Sequence, residues 1–290
     1  MLKTPILLLV FNRPDKAQLV FNSIKATKPR FIYVAADGPR DHISGESDNC
    51  NMTRAVIEQI DWDCNVSKLF RESNLGCKKA VSSAITWFFN SVEEGIILED
   101  DCLPNPSFFP FCEELLDRYR SDSRVMQICG SNLLRGWQRL PYSYYYSSYG
   151  PIWGWASWRR AWKYYDVDMK NWPRIKEEGI LEDICLNGDE VAWRRDIYDK
   201  LFNGEIDTWD LQWGYSKMIN YGLSITPNTN LISNIGFDSN ASHTVNNADP
   251  YAKLPSREMI FPLLHPQNIS RDRVSDKRFL DEFVLRITSR

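Results

Sequence analysis

Gly95-Ile96-Ile97-Leu98-Glu99-Asp100-Asp101-Cys102-Leu103-Pro104-Asn105-Pro106 is the stretch that decides the fold. Its apolar run is long enough only for a buried strand, so the three acids fall at the strand's C-terminal end, where parallel α/β sheets build ligand sites. Core packing has no use for three adjacent carboxylates. A bound hard cation relieves their repulsion, since Mg²⁺ and Mn²⁺ prefer carboxylate oxygens and bridge to substrate phosphates. A solvated acidic turn is the alternative reading of the same residues.

On the N-terminal side the pattern of apolar run, turn and helix repeats. Residues 6–11 are continuously apolar, and after them Pro14 opens a segment with Ala17, Val20, Phe21 and Ile24 at helical spacing. Residues 31–36 form a second run ending in Asp37-Gly38-Pro39, again an acid at a strand end with turn residues behind it. Met52, Ala55, Val56 and Ile60 mark a second helix, and residues 66–70 a third strand. After Asn74-Leu75-Gly76 comes a long helical pattern in Ala80, Val81, Ala84, Ile85, Phe88 and Phe89. Beyond the acids, residues 107–119 read as a helix and 125–129 as a fifth strand. Four βα units in succession imply an α/β fold with a mostly parallel sheet flanked by helices. Asp37 and the acid triplet should then open into one crevice. The chain has no G-x-G-x-x-G after its first strand and no Walker A sequence, which argues against a dinucleotide dehydrogenase or a P-loop enzyme.

The character changes near Arg135. Residues 142–158 are densely aromatic and contain Gly150-Pro151-Ile152-Trp153-Gly154-Trp155. Aromatic faces stack on sugar rings and the glycines let backbone approach a ligand, although filling a core is the competing use for any one ring. Residues 172–203 read as helical, broken at Pro173, Gly179 and Gly188. In Asp207-Thr208-Trp209-Asp210-Leu211-Gln212-Trp213 an acid is bracketed by tryptophans, a setting that suits general-base work; a helix cap is the competing role. A short strand over 223–226 precedes the polar stretch 234–244, which suits a lid and carries His243 as a candidate metal ligand or phosphate donor. From Asn246 four prolines make an irregular strap. A final helix, with Phe279, Leu280, Phe283, Val284 and Ile287 on one face, should dock on the domain or on a second subunit.

The 290 residues carry a formal net charge of −3, which argues against nucleic acid as a partner, because phosphate binding leaves a basic footprint. No stretch approaches the length of a membrane span, and residues 6–11 are too short for a secretory core. Seven cysteines, odd in number and without a C-x-x-C pair, read as reduced thiols of a cytoplasmic protein.

In order along the chain, Asn12-Arg13, Asp37-Gly38, Ile97-Leu98-Glu99-Asp100-Asp101, Gly130-Ser131-Asn132, residues 150–155, Trp209-Asp210-Leu211-Gln212-Trp213 and Ile235-Gly236-Phe237 through His243-Thr244 resemble the blocks of a GT-A glycosyltransferase. The resemblance is to bacterial sugar transferases similar to N-acetylglucosaminyltransferase I, and it fades after Thr244. It implies a Rossmann-like catalytic domain over 1–245, with a nucleotide-sugar-binding half (1–132), an acceptor-side half (133–245) and a C-terminal strap and helix (246–290). It implies a metal-dependent, inverting transfer from a UDP-sugar to a hydroxyl on a glycan or lipid-linked glycan, in surface polysaccharide or glycan synthesis. Asp101 would ligate Mn²⁺ or Mg²⁺, with His243 closing on metal or diphosphate. Asp100 and Glu99 would face ribose or sugar, Asp37 would accept from the base with Arg13 nearby, and Trp153, Gly154 and Trp155 would line the sugar. Asp210 would deprotonate the acceptor. The expected setting is cytoplasmic, at most peripheral at the inner membrane face, with the C-terminal helix as a candidate homodimer contact. A sugar-phosphate nucleotidylyltransferase would also use strand-end acids and a divalent ion, but that class resembles a glycine-rich first loop, and residues 12–16 have no glycine. A non-catalytic carbohydrate-binding protein would explain the aromatics without the acids.

Overall fold

A computed structural model describes residues 1–237, 251 and 254–285. The first apolar run becomes β1 (Ile6–Val10), buried at every position because helices cover both faces of the sheet. It is followed by α1 (Pro14–Thr27), β2 (Phe31–Ala36), α2 (Glu46–Ala55), a 3₁₀ turn (Val56–Gln59), β3 (Asn65–Phe70), α3 (Gly76–Ser91) and β4 (Glu94–Glu99). These four strands are parallel, with Ile6 opposite Ile32 on one side and Ile96 on the other.

The second half continues with β5 (Cys102–Pro104), α4 (Phe108–Arg118), β6 (Val125–Cys129), β7 (Tyr144–Ser147), β8 (Trp155–Trp158) and α5 (Arg159–Trp162). Then come α6 (Trp172–Glu177), α7 (Ile180–Ile184), α8 (Gly188–Phe202), α9 (Asp210–Ile219), β9 (Leu223–Pro227), β10 (Ile232–Asn234) and α10 (Arg273–Phe279). The main sheet has eight strands in the order β3-β2-β1-β4-β8-β6-β9-β7. The expected mostly parallel, Rossmann-like sheet is therefore present, with two reversed strands. β8 runs antiparallel between β4 and β6, so the fifth strand of the sequence reading does not lie beside the fourth. β7 closes the edge antiparallel to β9. Pro173 does not break a helix. It sits in the first turn of α6, where its missing N–H has no intrahelical use.

Alternation along β1 divides the interior. Ile6, Leu8 and Val10 face a core built with α1 and α4, while Leu7 and Leu9 face one built with α3 and the tryptophans of β8 and α9. A third cluster joins Trp172, Tyr198 and Tyr215 of α6, α8 and α9. The C-terminal helix docks on its own chain. Asp276, fully buried, accepts from Ser147 Oγ (2.5 Å), Ser148 N (3.1 Å), Ser148 Oγ (2.7 Å) and Arg271 Nε (2.6 Å). Phe279, Leu280 and Val284 pack with Leu133, Leu134 and Phe237. Of the two docking partners expected for this face, the described part packs on the domain itself. Among the described residues, no helix is long and apolar enough to cross a membrane.

Candidate functional site

The carboxyl ends of β1, β2 and β4 converge, and the acid triplet there is held by a cation from the chain itself. Arg13, in the loop after β1, donates through Nη2 to Asp100 Oδ1 and through Nη1 to Asp101 Oδ2, the latter at 3.0 Å. Phe11 N donates to the other Asp100 oxygen at 3.2 Å. Asp100 is only 2% exposed and anchors the β1–α1 loop through Arg13 and Phe11 N. Burial works against the Arg13 charge, but Asp100, Asp101 and Glu99 outweigh it and hold the guanidinium's pKa above its ordinary value. Glu99 is pushed well above the usual carboxylate range by burial first, then by the charges of Asp101 and Asp100. Its Oε1 is buried without a hydrogen-bond partner.

Asp37 stands at the end of β2 as expected, half-buried, with four hydrogen bonds on its carboxylate. Gly38 N donates at 2.9 Å, Leu75 N to both oxygens at 3.0 and 3.1 Å, and Asn74 Nδ2 at 3.0 Å. The acceptor positions of the carboxylate are thus filled by the turn that opens α3, and a base N–H would have to displace one of these donors. Burial raises the Asp37 pKa, and the backbone donors oppose that. Sequence reasoning missed Glu46, which is 2% exposed and accepts from Asn12 Nδ2 (2.8 Å) and Arg40 N (2.7 Å). A bidentate Arg40 side chain adds to this, and the β1 and β2 loops are tied together through one buried carboxylate.

Asp210 opens α9 and accepts from Thr208 Oγ1. Trp209, the residue before it, stacks on Trp155 at 5.9 Å and 21°, Trp155 is paired with Ile97 of β4, and the Asp210 charge acts on Glu99. The Cys77 thiol feels the charges of several of these acids. It is pushed up to about 12 by burial and then by the charges of Glu99, Asp210, Asp207 and Asp37. Trp155 itself has no exposed surface, and Trp162 and Trp213 complete its packing. It is a strut in the core. Gly154 has φ +60, and a Cβ there would fall 2.5 Å from Ile232 Cδ1, so its lack of a side chain lets it pack closely. Trp153 is partly buried and meets Phe237 edge-on at 5.6 Å.

A two-stranded ribbon of β5 and β10 pins the segment after Asp101 to residues 232–234. Ile235 N donates to Asp101 O at 2.8 Å, and a Cβ on Gly236 would fall 2.1 Å from Asp101 Oδ2. Residues 234–237 of the expected lid therefore rest on the candidate metal carboxylate; His243 lies outside the described residues. Among the described residues no three His, Cys, Asp or Glu side chains form a metal cage. The Asp101 side chain, 15% exposed, is the carboxylate of the triplet that a divalent ion held chiefly by substrate phosphates would use.

No known protein family and no curated protein matches the chain. Among solved structures it is similar to HddC from Yersinia pseudotuberculosis, at 10% identity over 43% of this chain and 57% of that one, with a TM-score of 0.29. UDP-glucose pyrophosphorylase complexed with UDP-glucose gives 14% identity, 51% and 62% coverage and a TM-score of 0.29. An apo UDP-glucose pyrophosphorylase gives 10% identity, 81% and 93% coverage and a TM-score of 0.36. The chain spans about six-tenths of the length of the first two. Likeness at this level says nothing of this chain's activity.

Proposed function

We propose that this chain is a glycosyltransferase that moves a sugar from a nucleotide-diphosphate donor, with UDP as the expected nucleotide, to a hydroxyl of a glycan or lipid-linked glycan. The reading rests on the stacking of Trp209, next to Asp210, on Trp155, which pairs with β4 just before the acid triplet, and on the Asp210 charge acting on Glu99. Two separated carboxylates with different surroundings suit a transfer that needs one group on the donor side and a base on the acceptor side. Asp101 would hold the divalent ion, and Glu99 would stand on the donor-sugar side. When bound, the ion neutralises charge developing on the leaving diphosphate. Asp210 takes the proton from the acceptor hydroxyl as that oxygen attacks the anomeric carbon from the face opposite the departing diphosphate, which inverts the configuration. Trp153 borders the acceptor side beside Phe237. A nucleotidylyltransferase would share the strand-end acids but has no task for a base at Asp210, and the glycine-free Asn12-Arg13-Pro14 loop also favours transfer.

Thermal unfolding with UDP, GDP and CMP, each with and without Mn²⁺, tests this reading. Linkage through a metal–nucleotide site stabilises the fold only when both ligands are present, by roughly 2.7 kcal/mol at a hundredfold excess over Kd. We expect the UDP–Mn²⁺ pair to raise the midpoint most. No rise with any nucleotide and metal would remove the transferase reading.

A further inference from the structure

We infer that Arg13 is an exchangeable counter-ion for Asp101: it holds the carboxylate while no divalent ion is bound, yields it when metal and nucleotide arrive, and turns the freed N–H toward the donor diphosphate. This rests on the proposed role of Asp101. The two prongs of the guanidinium are unequal. Nη2 is fixed on Asp100, whose side chain is 3% exposed, and leaving it would strand a buried carboxylate. Nη1 reaches Asp101 at 3.0 Å, and that side chain is 15% exposed at the crevice. Arg13 can therefore pivot on one prong and release the other.

The surroundings of Asp101 Oδ2 favour the exchange for a cation that approaches this oxygen. On one side stands Nη1; on another is Gly236, where even a Cβ would fall 2.1 Å away. A cation at Oδ2 competes with Arg13 for the same lone pairs, and the missing Cβ of Gly236 leaves the other side of this oxygen free of a side chain. Charge favours the same outcome, since Glu99, Asp100 and Asp101 all act on a single guanidinium. The unpartnered Glu99 Oε1 adds an oxygen in the same wall with no donor to serve. An arginine fork matches phosphate oxygens as well as it matches carboxylates, so the freed prong has a partner in the donor.

The test is Mn²⁺ binding without nucleotide, read from the electron paramagnetic resonance signal of free Mn²⁺, in the wild-type chain and in Arg13→Met. Losing a competing cation in hydrogen-bond contact should tighten Mn²⁺ by about tenfold or more. The same variant should bind UDP in saturating Mn²⁺ about tenfold more weakly, because the diphosphate loses a charged donor. Arg13→Met leaves Asp100 unpaired, so Arg13→Met with Asp100→Asn is measured beside it, and circular dichroism shows which variants are folded. Tighter Mn²⁺ in a folded variant supports the exchange; unchanged or weaker Mn²⁺ overturns it. A wild-type chain that binds UDP–Mn²⁺ while the folded variant shows no gain loses only the exchange, whereas a wild-type chain that binds no nucleotide with Mn²⁺ loses the functional reading itself.

Discussion

Asp210→Asn should lower turnover by about 10²-fold or more while leaving donor affinity nearly unchanged, as removal of a general base does. The substitution keeps the shape of the side chain and its ability to accept from Thr208 Oγ1, so the start of α9 should stand as before. What it removes is proton affinity at the place where the acceptor hydroxyl is activated. A hundredfold loss corresponds to about 2.7 kcal/mol of transition-state stabilisation. Because the interaction is made in the transition state, kcat and kcat/KM should fall together. The check is steady-state release of UDP from a UDP-sugar with Mn²⁺, with KM measured separately. Unchanged turnover would reduce Asp210 to a helix-opening residue that complements the α9 dipole.

Trp155→Ala should be among the most damaging single changes in the chain, costing about 3–5 kcal/mol, the usual range for emptying a large aromatic site in a core. The ring lies among Trp162, Trp209 and Trp213 with centroids 5.9–6.3 Å away, and none of it reaches solvent. Its loss would free Trp209, and with it the segment that carries Asp210 toward β4. Trp155→Phe should cost less than half as much, because it keeps a ring in the stack and removes an indole N–H that has no partner. Denaturant midpoints of the two variants measure this. A ring that served only as a sugar platform would show the reverse, with stability kept and ligand binding lost.

The parallel half of the sheet was legible because β1, β2 and β4 are uninterrupted apolar runs, the signature of strands covered on both faces, and each is followed by turn residues. The acids at two strand ends were legible for the same reason. β8 was not. Trp155-Ala156-Ser157-Trp158 has the composition of a ligand-binding aromatic run, and only its pairing with both β4 and β6 reveals a core strand. The pairing of Arg13 with Asp100 joins residues 87 positions apart, so no local spacing announces it. A signal was present all the same: Arg13 stands directly in the turn after the first strand, facing a crevice otherwise lined by acids. Glu46 was hidden because a glutamate in the first turn of a helix has a sufficient local explanation in the helix dipole. The role of Gly236 depends on how closely its backbone approaches Asp101, a distance that only the fold sets.

The central claim, a metal-dependent nucleotide site built on Asp101, is tested most directly by calorimetric titration of UDP into the wild-type chain and into Asp101→Asn, each with and without Mn²⁺. The account predicts binding by the wild-type chain that requires Mn²⁺, and loss of that binding in the variant, whose neutral amide cannot replace a carboxylate toward a hard cation. Equal affinity of the two chains for UDP in Mn²⁺, or UDP binding by the wild-type chain that is indifferent to the metal, would contradict it.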